Sequence, residues 1–200
     1  MDASRGEGRA NAPVQFARSI APERHCALFY EDPSYALRVE FGFMEGGLEK
    51  GERCFYLTHS EDESHTVEAK MRERRELRAG MTKGLLATYA DSFIPQSPEE
   101  VGGLFDERRR RMEEGASGPY RVVGTVLSEI ATPYQSATQT EIDFTIQRQI
   151  QGSGATYLCS FSSDKVEGSL RNDWFLKTVA THHSAIFAPR RGEGIAFDMR

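Results

Sequence analysis

The chain has 200 residues, a formal net charge of -5 and three cysteines. A domain of this length buries roughly 70% of its unfolded surface and needs no staples, and three cysteines make no disulfide framework, which points to a reducing cytoplasm. The acidic balance argues against direct nucleic-acid binding, and no apolar run approaches the ~18 residues of a membrane span.

Residues 1–22 carry Arg, Gly, Ala, Pro and Glu without a continuous apolar segment, and read as a disordered tail, not a signal peptide. The domain is expected over 23–200. The stretch His25 to Glu63 reads strand, turn, helix, strand, turn. Cys26–Tyr30 is apolar throughout, as suits a strand covered on both faces. Asp32 before Pro33 is a helix start, since Asp caps free amides and Pro has no N–H to lose. Leu37, Phe41, Met44 and Leu48 then share one helical face, expected to lie on the sheet, and Gly51 ends the helix. Cys54–Leu57 is the next buried strand, and Ser60-x-x-Glu63 is a capping box.

The alternation continues. A helix is expected from about Ser64 to Arg78, then a strand at Leu85–Ala90. Ser97-Pro98-Glu99-Glu100 starts a helix with Val101, Leu104, Phe105 and Met112 as its buried stripe. Arg108–Arg111 on that helix is a basic run set among Asp106, Glu107, Glu113 and Glu114, and reads as a solvated face with i,i+4 charge pairs. Arg121–Leu127 is a β-branched strand, Thr138-x-x-Glu141 opens a helix with Ile142, Ile146 and Ile150 on one face, and Tyr157–Phe161 is a fifth strand. Asp173 caps a short helix through His182 in which Trp174 is a core anchor. Ser184–Ala188 and Ile195–Phe197 supply the last strands. Strand and helix alternating at this spacing mean a single three-layer α/β/α domain with a mostly parallel sheet. In such sheets ligands bind beyond the carboxyl ends of the strands. The residues there include Tyr30, Glu31, Asp32, Tyr35, His59, Glu61 and Glu129. Aromatic area and carboxylate acceptors suit a small ligand with apolar and cationic or hydrogen-donating parts.

His25-Cys26 leading into the strand, then Phe43-x-x-x-Gly47-Leu48-x-x-Gly51-Glu52-x-Cys54-x-Tyr56, with Cys159 and His182-His183 later, resembles the sensory domain of dichloromethane-responsive regulators, the MEDS (methanogen and methylotroph sensory) domain, over about Glu23 to Pro189. That domain is in turn similar to the RecA and KaiC group of P-loop ATPases, so the resemblance implies a RecA/KaiC-like sheet with the first strand between the fifth and sixth. The ATPases carry a glycine-rich phosphate loop with a Lys after the first strand. Here that place reads Tyr30-Glu31-Asp32-Pro33-Ser34-Tyr35. A carboxylate ~4 Å from a phosphate oxygen costs about 4 kcal/mol per unit charge at an effective dielectric near 20, close to a thousandfold in affinity. The resemblance therefore implies a non-catalytic sensory domain with no cofactor. Its ligand would be a small organic or hydrocarbon-derived compound, or a protein partner bound at the sheet's carboxyl edge. The output partner implied is a histidine kinase, an anti-sigma-type module or a transcription regulator, or the chain's own self-association.

Two other readings remain open at this level. One is a divergent KaiC-like ATPase, since Glu61 and Asp62 follow the second strand where those relatives keep catalytic acids. The other is a Cys/His thiol or metal sensor built from His25, Cys26 and His183. Against it, Cys26, Cys54 and Cys159 each lie in an apolar strand run and are expected to be slow-reacting packing residues. A hydrolase using His59 with Ser60 or Ser162 lacks the Gly-x-Ser-x-Gly elbow.

Overall fold

The computed structural model describes residues 12–90, 95, 97–114, 118–125, 132–166, 168 and 171–199. In chain order these form α1 (Ala12–Ser19), β1 (His25–Tyr30), α2 (Pro33–Glu49), β2 (Arg53–Thr58), α3 (Glu61–Arg72), α4 (Arg75–Thr82) and β3 (Leu86–Ala90). There follow α5 (Pro98–Glu113), β4 (Tyr120–Gly124), α6 (Pro133–Gln149), β5 (Ala155–Ser162), α7 (Arg171–Thr181), β6 (Ser184–Arg190) and β7 (Glu193–Asp198). The sheet is ordered β3-β2-β4-β5-β1-β6-β7, parallel except for the antiparallel β6–β7 hairpin. Thus β1 does lie between β5 and β6, with Ala27 opposite Cys159 on one side and Ala185 on the other.

Helices cover both faces, which is why β1 is buried from His25 to Phe29. Alternate residues point to opposite faces. Cys26 and Leu28 join Tyr56, Val123 and Leu158 in a core beneath α1–α4. Ala27 and Phe29 join Phe55, Val122, Tyr157 and Cys159 in a second core beneath α5–α7.

The segment expected to be a disordered tail is a packed helix over Ala12–Ser19, with Pro13 and Ala17 buried; residues 1–11 lie outside the described residues. Its seat is made by two glycines one turn apart on α2. A Cβ at Gly42 would lie 2.8 Å from the Val14 side chain, and one at Gly46 would lie 2.0 Å from the Arg18 carbonyl oxygen. The helix end is then tied down by Arg18, which ion-pairs with Glu45 at 2.9 Å and also with Glu49.

The expected stripe on α2 is also rotated. Leu48 packs on Gly80 of α4 and Phe41 lies under Arg74, the residue before α4, so this side meets α4 and the turn that leads into it. The sheet is met by Glu40, Phe43 and Gly47, through Tyr56, Arg121 and Cys54.

Other elements differ from expectation for local reasons. The single helix expected from Ser64 to Arg78 is two, because Arg74 is extended between them. α6 begins at Pro133, where Thr132 and Gln135 form a capping box, not at Thr138. Arg108 is buried at 6% exposure over the Phe105 ring, whereas Arg110 and Arg111 do pair with Glu107 on the solvated side. Val126 and Leu127 of the expected fourth strand lie outside the described residues.

Candidate functional site

The turn from β1 into α2 consists of Glu31 and Asp32. Asp32 Oδ1 accepts the Ser34 amide at 2.9 Å, and its carbonyl accepts the Tyr35 and Ala36 amides at 3.1 and 3.0 Å. Pro33 has no N–H. The helix start therefore satisfies its own amide donors, the groups that a phosphate would need.

The carboxyl-edge residues separate into small groups. Glu31 is exposed, with Arg190 3.9 Å away. His59 Nδ1 lies 2.6 Å from Glu63 Oε2, Glu61 is exposed in the first turn of α3, and Tyr35 is buried. Glu129 falls outside the described residues. Tyr30 is half-buried, and burial followed by the Glu40 charge pushes its phenol up to about 12. Beneath it Glu40, 3% exposed, accepts the Tyr56 hydroxyl at 2.6 Å. Burial holds the Glu40 carboxyl above its ordinary range, against the opposing hydrogen bond from Tyr56. Sequence reasoning missed this pair, although a Glu flanked by Val39 and Phe41 in a largely apolar helix was a visible signal.

On the other face the structure makes a tighter cluster. His25, Asp143, Cys159 and His182 are all buried, and one donor atom from each lies within 4.8 Å of all the others. His25 Nε2 is 3.3 Å from Cys159 Sγ, and its ring stacks on His182 at 3.7 Å between centroids. Burial, then the His182 charge, drives the His25 imidazole well below its ordinary pKa. Burial likewise drives the Asp143 carboxyl and the Cys159 thiol well upward, the latter with help from Asp143. Of the trio expected from the sequence, His25, Cys26 and His183, only His25 belongs to this cluster. Cys26 faces the opposite core, where its Sγ contacts the Ala27 carbonyl. His183 Nδ1 accepts the His25 backbone amide at 3.0 Å, so its ring braces the strand and not the cluster. Asp143 was missed because nothing in its helical spacing distinguishes it from a solvated acid.

Next to Cys159 lies a cavity of about 40 Å³ between β2, β4, β5 and helices α5 and α6. Leu57, Phe105, Val122, Ile142 and Phe161 give it an apolar wall, and Arg108, Gln139 and Cys159 add polar atoms. Gln139 connects the two features, because its Nε2 donates to Asp143 Oδ1 at 2.8 Å.

The sequence matches the family model of MEDS, the MEthanogen/methylotroph, DcmR Sensory domain, over residues 24–182. No curated protein matches it. Among solved structures, it is similar to a KaiC-like protein of the hyperthermophilic archaeon Pyrococcus horikoshii, with a TM-score of 0.59 at 11% identity, covering 90% of this chain and 81% of that one. It is also similar to a second solved chain, an ATPase domain, with a TM-score of 0.53 at 11% identity, covering 85% of this chain and 71% of that one. These likenesses are of fold: a mostly parallel α/β sheet of the KaiC type. No helix among the described residues is long and apolar enough to cross a membrane.

Proposed function

The chain belongs to the MEDS sensory family, and from that premise we propose that it works by binding a small molecule and not by turnover. The observation that carries this reading is the turn of Glu31 and Asp32, which caps its own helix with a carboxylate where the similar ATPase fold would hold phosphate. Two carboxylates at that position repel a nucleotide's phosphates.

The ligand seat that fits best is the cavity beside Cys159. One water takes ~10–15 Å³ on the same measure of volume, so about 40 Å³ suits a molecule of a few heavy atoms. The apolar wall favours a small organic compound with one hydrogen-bonding group. A second seat, at the sheet edge beside Tyr30, draws support from the buried Glu40–Tyr56 pair beneath it, which offers a carboxyl to a hydrogen-donating ligand. Occupancy would be read by a histidine kinase, an anti-sigma-type module or a transcription regulator, or by a second copy of the chain.

Backbone-resolved NMR titration with dichloromethane, ethanol and Mg-ATP tests this. Saturable shifts from a small organic at Phe105, Ile142 and Phe161, lost in Val122→Phe, are expected. Shifts at Tyr30, His59 and Glu61 instead would move the seat to the sheet edge. Micromolar binding of Mg-ATP would overturn the reading and favour the divergent ATPase.

A further inference from the structure

His25 opens β1, Cys159 lies in β5, Asp143 in α6, and His182 directly follows α7. Four segments distant in sequence thus bring two imidazoles, a thiol and a carboxyl to one buried point. We propose that this point is a binding site for one divalent transition-metal ion of zinc-like chemistry. The ion is held by Nε2 of His25, Nε2 of His182, Sγ of Cys159 and a carboxylate oxygen of Asp143. The site shares Cys159 with the wall of the small-molecule cavity, but it rests on separate observations, and either reading can fail alone.

The tautomers are the first support. His25 Nδ1 lies 3.3 Å from the Thr181 carbonyl, and His182 Nδ1 lies 2.6 Å from the Thr178 carbonyl. A carbonyl only accepts, so each Nδ1 carries the proton and each Nε2 carries the lone pair. Metal-bound histidines are held in this way, with the second ring nitrogen donating to a main-chain carbonyl.

Asp143 is the second support. It is 1% exposed, and while Oδ1 accepts from Gln139, Oδ2 has no hydrogen-bond partner among the described residues. A buried polar atom without a partner costs about 1–3 kcal/mol. A packing role for His25 and Cys159, joined by a thiol-to-imidazole hydrogen bond, would leave that oxygen unexplained.

The spacing is the third. Zinc binds Cys sulfur at about 2.3 Å and His nitrogen or Asp oxygen at about 2.0–2.2 Å, so tetrahedral donors sit roughly 3.3–3.8 Å apart. The 3.3 Å between His25 Nε2 and Cys159 Sγ already meets this, and a spread of at most 4.8 Å closes with small side-chain rotations. The charges also balance. The thiol and the carboxyl each release a proton on binding, and the resulting thiolate and carboxylate neutralise a divalent ion in a dry core.

The test uses the full chain, stripped with a chelator and titrated with Co²⁺, then with Zn²⁺ as competitor. One equivalent of Co²⁺ should bind with the intense visible bands of a tetrahedral site and a thiolate-to-cobalt charge-transfer band in the near ultraviolet, and Zn²⁺ should displace it. Asp143→Asn should weaken binding by at least about tenfold, and Cys159→Ser should abolish the charge-transfer band. Should Cys159→Ser not fold, the C26S/C54S double variant assigns the band, because Cys159 is then the one thiol left. Folded wild-type protein that takes up no Co²⁺ overturns the proposal. So does a thiolate band that persists in Cys159→Ser or vanishes in the double variant.

Discussion

On the α1–α4 face, Arg121 is buried with every direction of its guanidinium answered. It donates to Glu52 Oε2 at 2.6 Å, to the Phe43 carbonyl at 2.9 Å and to the Ile20 carbonyl at 3.0 Å. On the α5–α7 face, Asp143 is as deeply buried, yet one of its oxygens has no hydrogen-bond partner among the described residues, and its neighbours are a thiol and two imidazoles. The two faces share one sheet and similar burial, so burial alone does not distinguish a strut from a site. What separates them is whether the polar groups satisfy one another. Arg121 joins β4, α2, the residue before β2 and the end of α1 into one body. The Asp143 cluster joins as many segments but leaves an Asp143 oxygen unanswered among the described residues, close to a thiol and two imidazoles.

The largest expected effect follows from removing the strut. Arg121→Met leaves Glu52, 7% exposed, as a buried charge without its partner, and such broken pairs cost about 3–5 kcal/mol. Urea denaturation should report a loss of that size, and a loss under about 1 kcal/mol would mean that the pair behaves as a surface bridge. Next in size is Gly46→Ala. Its Cβ would stand 2.0 Å from the Arg18 carbonyl oxygen, and main chain cannot move aside as a flexible side chain can. A cost of about 1–3 kcal/mol is expected, as for overpacking in a core. Loss of amide-exchange protection should be concentrated in α1, where the contact is. Unchanged protection there would show that the glycines do not seat the helix.

The third effect is a change of slope. Burial raises the Glu40 pKa above its unfolded value, so the folded state holds its proton more tightly. Between the ordinary carboxylate pKa and the raised one, the folded state binds more protons than the unfolded state, and stability falls as pH rises through that window. Below the window both states are protonated and the contribution is flat. Glu40→Gln should therefore flatten the decline while keeping an acceptor for Tyr56. A decline identical to wild type would place its origin in other groups.

Much of the layout was legible because it rests on local rules. Asp32-Pro33 and Ser60-x-x-Glu63 start α2 and α3 where capping chemistry says they should, and apolar runs mark the strands buried on both faces. The errors are tertiary. α1 is too short to hold a helix alone, and it forms because Gly42 and Gly46 let it lie against α2. Capping motifs also compete: Thr132 before Pro133 outranks Thr138, which ends up buried within α6. The cluster was half legible. His25, Cys159 and His182 stood in the family-like segments, but which cysteine meets His25 depends on strand order and pleat. Cys26, next to His25 in sequence, points to the opposite face. Cys159 reaches His25 from the neighbouring strand, where it sits opposite Ala27 and so shares the face of His25.

The smallest effect is one of rate, and it sets the thiols of the two faces against each other. Burial pushes Cys26 and Cys54, both in the α1–α4 core, up to about 12. A free thiol near about 8.5 has roughly a thousandfold more thiolate at neutral pH, and the thiolate is the reactive form. Native protein should therefore label at these two positions only as fast as the core opens, and promptly once denatured, with no change in stability. Peptide mapping after brief exposure to a maleimide separates the three cysteines. Adding a chelator should alter labelling at Cys159 alone, because only that thiol stands among metal donors. Prompt native labelling of Cys26 or Cys54 would break the contrast between the faces at its simplest point, since it would make the α1–α4 core a reactive surface and not a packed one.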